Sequence, residues 1–312
     1  MAFNIGGIQK FEISDSVSLT GKINSETITD DFEFVERFRS VEFYRDWNLR
    51  NININDVQHI HGGELILQSK GFGDVIYGLQ SYRIRDNFIG FRNELGIQSN
   101  YKSMILRAKG SYLNSKGYDE KTDFYRLKST IELPLYIANI GFKNDFEHNA
   151  RFSQSNNLLS NRSYAFNEWE TFLGNKDTLT TKVQISYGQR SDRHSDSERL
   201  IDSTLARNSS LLLMLNKNGN HLFRSITSLR TLDIIDTNIT STKADSILLN
   251  RIEYRSKFFG GAILSNVFYE TGSGMEVKKE FSYVNVPTGQ GLYIYRDNND
   301  NGIKELDEFR SE

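Results

Sequence analysis

Apolar and polar residues alternate along most of this chain with a period of two, the signature of strands whose two faces meet different surroundings. From Leu179 to Tyr187 the odd positions are Leu179, Thr181, Val183, Ile185 and Tyr187, against Thr180, Lys182, Gln184 and Ser186. From Tyr125 to Ile137 the apolar set is Leu127, Ile131, Leu133 and Leu135, and the polar set Arg126, Lys128, Thr130 and Glu132. The pattern then changes phase and resumes through Ala138, Ile140, Phe142 and Phe146, with similar runs from Phe91 to Ile97, Met104 to Tyr112 and Leu248 to Phe258. These runs exceed the ~5–6 residues usual in soluble domains and match the ~9–11 of a strand that crosses a bilayer. Tyr112, Tyr125 and Tyr187 stand at run ends, where an aromatic belt would fall. A large soluble sandwich also alternates, and aromatic residues favour strands in any setting.

The connections separate these readings. Asn218-Gly219 is a tight hairpin signal, because both residues tolerate positive φ. Residues 146–163, 188–210 and 233–246 instead read as long polar links. Short turns at one rim and long loops at the other are the habit of outer-membrane barrels, and compact soluble domains seldom carry several such loops. Two prolines in the whole chain suit long ladders that need every backbone donor. The pattern therefore predicts an all-β fold, an antiparallel up-and-down transmembrane β-barrel or part of one. Residues 1–62, dense in mixed charges and aromatics, read as an irregular β-rich segment ahead of the main array at 63–312, with the boundary at Gly62-Gly63.

Composition narrows the function classes. With 312 residues, 38% hydrophobic, the chain is long enough for a sizeable core, and a formal net charge of −2 supplies no field to hold nucleic acid. The absence of cysteine removes disulfides, thiolate metal sites and thiol nucleophiles. The longest purely apolar run, Leu211 to Leu215, is far short of the ~20 residues of a membrane helix. The opening MAFNIGGIQKFEI carries no charged segment followed by an apolar one, so no secretory signal is legible there.

The densest candidate chemistry is YIYRDNNDNGIKELDEF, residues 293–309. It follows a calcium-loop pattern: Asp297 at position one, Asn299 at three, Asn301 at five, Gly302 at six, the Ile303 carbonyl at seven, Glu305 at nine and Glu308 at twelve. Ca²⁺ takes several hard oxygen ligands, glycine permits the sharp turn between them, and a late glutamate closes the shell. A strand-like GLYIYR precedes the loop where a helix-loop-helix sensor would have a helix, and the competing reading is a solvated turn rich in Asp and Asn. His59 and His61, two apart and close to Glu64, form a weaker zinc candidate. Gly272, Gly274, Gly289 and Gly291 form GxG pieces without the rest of a nucleotide-binding fingerprint, and no residue set singles out a catalytic centre.

Two segments carry a resemblance. NVFYETGSGMEVKKEFSYVNVPTGQGLYIYRDNNDNGIKELDEF and RFRSVEFYRDWNL, together about a fifth of the chain, resemble stretches of large outer-membrane β-barrel proteins of the Bacteroidota. The resemblance implies a barrel in the outer membrane, exported through a signal peptide and serving transport, assembly or secretion. It further implies outer-membrane lipid and envelope or secretion-machinery proteins as partners, and Ca²⁺ in the acidic loop. Because proteins of this kind continue past that loop, the chain is expected to be a fragment of a longer one. On the barrel reading Arg126, Lys128, Glu132, Lys182, Gln184, Arg251 and Arg255 share the lumen face. The alternative is a soluble, secreted, calcium-stabilised β-sandwich of adhesin type.

Overall fold

The computed structural model describes residues 2–30, 39–49, 56–176, 180–217, 219–238, 244–273, 293–297 and 308–311. Fourteen strands form one antiparallel sheet in which each pairs with the next in sequence. They are β1 (Ala2–Ser14), β2 (Val17–Ile28), β3 (Gln58–Ser69), β4 (Gly73–Ile84), β5 (Phe88–Tyr101), β6 (Met104–Gly117) and β7 (Glu120–Pro134). The sheet continues with β8 (Ala138–Ser153), β9 (Tyr164–Asn175), β10 (Thr181–Ser195), β11 (Leu200–Lys217), β12 (His221–Ile234), β13 (Asp245–Phe258) and β14 (Ile263–Gly272). A short hairpin, β15 (Tyr293–Tyr295) with β16 (Phe309–Ser311), belongs to a separate compact unit that begins at Met275. Among the described residues β1 and β14 do not pair, so the sheet is up-and-down but not closed. No described helix is long and apolar enough to cross a membrane.

The change of phase after Ile137 is a turn: residues 135–137 join β7 to β8. Pro134, lacking an N–H for the ladder, ends β7, and Gly219 takes a φ of 70° in the turn between β11 and β12. The Gly62-Gly63 pair expected at a boundary lies inside β3, and β1 and β2 are the first strands of the same sheet. The polar link expected over 188–210 is almost entirely strand. β10 runs to Ser195, β11 starts at Leu200, and only 196–199 connect them. The end of β10 is polar on both faces from Gln189 to Ser195, and β11 opens with apolar residues side by side, Leu200-Ile201 and Leu205-Ala206, so the alternation is lost from the sequence while the ladder continues.

The connections sort by rim. On one side they are 15–16, 70–72, 102–103, 135–137, 176–180, 218–220 and 259–262. On the other they are 29–57, 85–87, 118–119, 154–163, 196–199 and 235–244, so every long one falls at that rim. The β2–β3 connection carries the single α-helix among the described residues, α1 (Val41–Asp46).

Register divides the side chains into two sets. Following the pairs from strand to strand, Leu65, Leu79, Leu95, Leu127, Phe142, Leu173, Ile185, Leu211, Leu229 and Val267 share one face and are all exposed. Each is about half exposed and in water would forgo roughly 1 kcal/mol of burial, so the face favours an apolar surrounding. A sandwich would cover it with a second sheet, but all fourteen strands belong to one. The core proper lies on the opposite face beneath α1, where Trp47, Leu49, Ile60, Tyr82, Ile84, Phe88, Leu113 and Phe124 cluster. Gly90, opposite Tyr82, leaves room there: a Cβ at that position would stand 3.2 Å from the Trp47 ring.

Candidate functional site

The apolar face also carries its charge unevenly. Leaving aside the strand-terminal Lys217, its charged residues are Arg83, Lys116, Lys121, Asp123, Arg193, Asp202, Arg207 and Asp233, all towards the long-loop rim. Aromatic residues border them on the same face. Tyr112 and Tyr125 stack across β6 and β7 with ring centroids 4.5 Å apart, His148 stands opposite Tyr125, and Trp169 meets Tyr187 edge-on at 5.7 Å. At the other rim Phe72, Tyr101, Tyr136 and Phe259 are exposed. Tyr125 and Tyr136 stand eleven positions apart, 136 less 125, a spacing comparable to the ~9–11 residues of a bilayer-crossing strand.

The polar face carries ion pairs at the same depth. Lys22 meets Glu64 at 2.7 Å, Lys109 meets Glu94 at 2.8 Å, Lys128 meets Asp145 at 2.9 Å, Lys143 meets Glu170 at 2.8 Å and Arg190 meets Glu168 at 3.2 Å. Each pair spans neighbouring strands, so the face is a mesh of matched charges. All seven residues expected to share a face, Arg126, Lys128, Glu132, Lys182, Gln184, Arg251 and Arg255, lie on this one by register.

Onto this face α1 and its flanks fold back as a strap. Ser40 caps the helix, its Oγ accepting from the Phe43 N–H at 3.2 Å, and Glu42 and Arg45 suit the dipole at opposite ends. Asn48 stops it with a φ of 56° while the Leu49 N–H donates back to the Tyr44 carbonyl at 2.9 Å. The strap is then pinned to four strands. Arg39 donates two hydrogen bonds to Glu26 of β2, at 2.5 and 3.2 Å, and Asp46 pairs with Arg92 of β5 at 3.2 Å and with Arg126 of β7. Arg45 donates to Glu147 of β8 at 2.7 Å, and Asn48 to Asn149 of β8 at 3.0 Å. Glu147 is buried and also accepts from Arg126 at 3.2 Å and the Tyr164 hydroxyl at 2.9 Å, so one carboxylate binds strap, β7 and β9 together. Beside Asp46 lies an open cavity of about 640 Å³ whose walls include Ile8 and Ile23 as well as Lys22, Glu64, Arg92, Glu94 and Lys109, and whose charges are already matched.

Sequence reasoning missed this cluster. The serine cap, the acid in the first turn and the base in the last were the legible signals, but six residues are too few for an amphipathic period.

The acidic loop is bracketed by its hairpin. Tyr295 pairs with Phe309, and the Arg296 N–H donates to the Glu308 carbonyl at 3.0 Å. That closure brings the first and last calcium-pattern positions, Asp297 and Glu308, to the same end of the ladder, and Glu308 is 1% exposed. Asn299, Asn301, Ile303 and Glu305 lie outside the described residues, as do Gly274, Gly289 and Gly291. No group of three or more metal-ligating side chains occurs among the described residues. The zinc reading of His59 and His61 is corrected. The rings do share a face, but Glu64 points to the other one and holds Lys22, while the histidines bind Thr27 and Ser25 at 3.0 and 2.9 Å.

No protein-family model matches the chain, and neither a curated protein nor a solved structure is detectably similar to it.

Proposed function

We propose that the chain builds the wall of an outer-membrane β-barrel that serves transport, assembly or secretion across the cell envelope. The observation that carries this reading is the contrast between the two faces of one fourteen-stranded sheet. One is apolar, edged by aromatics and, Lys217 apart, charged towards one rim, and the other is a mesh of ion pairs holding a buried strap. Lipid satisfies the first face, and a polar lumen satisfies the second. Short turns at one rim and long connections at the other add the asymmetry typical of such barrels.

On this reading the β2–β3 strap narrows the lumen. The acidic hairpin holds a structural Ca²⁺ through Asp297, Asn299, Asn301, Ile303, Glu305 and Glu308, and the closure of the ladder at Arg296 and Glu308 supports that ligand set.

The test is to refold the full chain with detergent micelles and in plain buffer, then to compare boiled and unboiled mobility on a gel. A heat-shifted band that forms only with detergent is expected. A soluble monomer with β-type circular dichroism in plain buffer would overturn the reading.

A further inference from the structure

Near the long-loop rim the cations of the apolar face have acidic partners, with one exception. Arg193 meets Asp202 at 2.6 Å, Arg207 meets Asp233, and Arg83 meets Asp86 at 3.7 Å. Lys116 and Lys121 instead stand directly opposite each other across β6 and β7, both exposed and without an acidic partner among the described residues. The next acid along that face, Asp123, turns Oδ1 to the Tyr112 hydroxyl at 2.8 Å and the Asn114 amide at 2.9 Å. Like charges facing each other across an antiparallel pair oppose folding, so the arrangement lacks an anion.

Its position says which anion. The lysines lie two cross-strand steps beyond the stacked Tyr112 and Tyr125, roughly 13 Å along the strand at ~3.3 Å per residue. Rings of that kind mark the edge of the hydrocarbon, so the ammonium groups reach the phosphate layer. Ile89, opposite Lys116, and Phe152, opposite Lys121, give the pair apolar shoulders.

We infer that Lys116 and Lys121 together bind the phosphate of an anionic lipid at the long-loop rim, an inference that rests on the membrane reading above. Each lysine contributes about fivefold to lipid affinity, the size expected of a basic residue at an anionic membrane surface.

The test places the full chain in phosphatidylcholine bilayers with and without phosphatidic acid, extracts it gently and counts retained lipids by native mass spectrometry. The wild-type chain is expected to keep phosphatidic acid in preference to phosphatidylcholine. The Lys116→Gln/Lys121→Gln variant, with its heat-shifted band intact, is expected to lose that preference by about 25-fold. Equal retention by the two proteins would overturn the inference, and displacement by inorganic phosphate would overturn the choice of a lipid. A chain that enters phosphatidylcholine bilayers but ignores phosphatidic acid defeats the lysine site alone. A chain that stays out of every bilayer defeats the membrane reading with it.

Discussion

Asp46 shows how much of the strap hangs on single side chains. Its carboxylate answers two guanidinium groups, Arg92 and Arg126, each less than a quarter exposed, and removing it leaves both charges without their strap partner. Breaking one side of a largely buried ion network costs about 3 kcal/mol or more. Asp46→Ala is therefore expected to release the strap before the sheet melts. Trp47, 2% exposed, reports this directly once the only other tryptophan, Trp169, is replaced by Phe. Its emission should shift to the red in Asp46→Ala while far-ultraviolet circular dichroism stays unchanged. An unmoved emission maximum would mean that packing of Trp47 against Tyr82 and Phe43 holds the strap without the charges.

Elements are governed by how their ends are closed. The turn between β10 and β11 is held by Asp196, whose Oδ1 accepts from the Arg199 N–H at 2.8 Å and the Glu198 N–H at 3.0 Å. These backbone donors favour the ionised form and hold the carboxyl below its ordinary range. A depressed folded-state value gives the turn stability that is complete above the unfolded pKa and is lost as pH falls through the folded one. Amide exchange at Glu198 and Arg199 should stay slow from neutral pH down to the ordinary carboxylate range and accelerate only below it, after correction for the intrinsic rate. Acceleration already near pH 6 would contradict this. In the acidic hairpin, Asp297→Ala and Glu308→Ala are expected to make residues 298–307 quick to proteolysis with or without Ca²⁺ and to leave strand content intact. In the parent chain Ca²⁺ should slow the cutting, and indifference to the ion would favour a plain solvated turn.

Legibility in the sequence followed the same physics. Where one face is apolar and the other polar, as from Leu127 to Leu133, alternation fixed both the strand and the side on which Arg126, Lys128 and Glu132 lie. Where both faces are polar, as from Gln189 to Ser195, a strand of the same ladder reads as loop. Tyr112, Tyr125 and Tyr187 were legible as a belt, but their partners Trp169 and His148 were not, because their alignment depends on register between strands. The strap was illegible for a related reason. Glu147 meets Arg45 from 102 residues away, and no local pattern encodes that distance.

At the scale of the whole molecule the account rests on one claim, that the two faces of the sheet meet lipid and water respectively. The chain contains no cysteine, so spin labels can be attached one at a time to introduced cysteines along β7. The decisive measurement is the accessibility of labels at 127 to 132, in bilayers, to oxygen and to a water-soluble nickel chelate. Labels at Leu127, Ser129 and Ile131 should collide with oxygen, and those at Lys128, Thr130 and Glu132 with the chelate, in strict alternation. Equal access of the chelate to both sets would contradict the account, because the apolar face would then be meeting water or protein and not lipid.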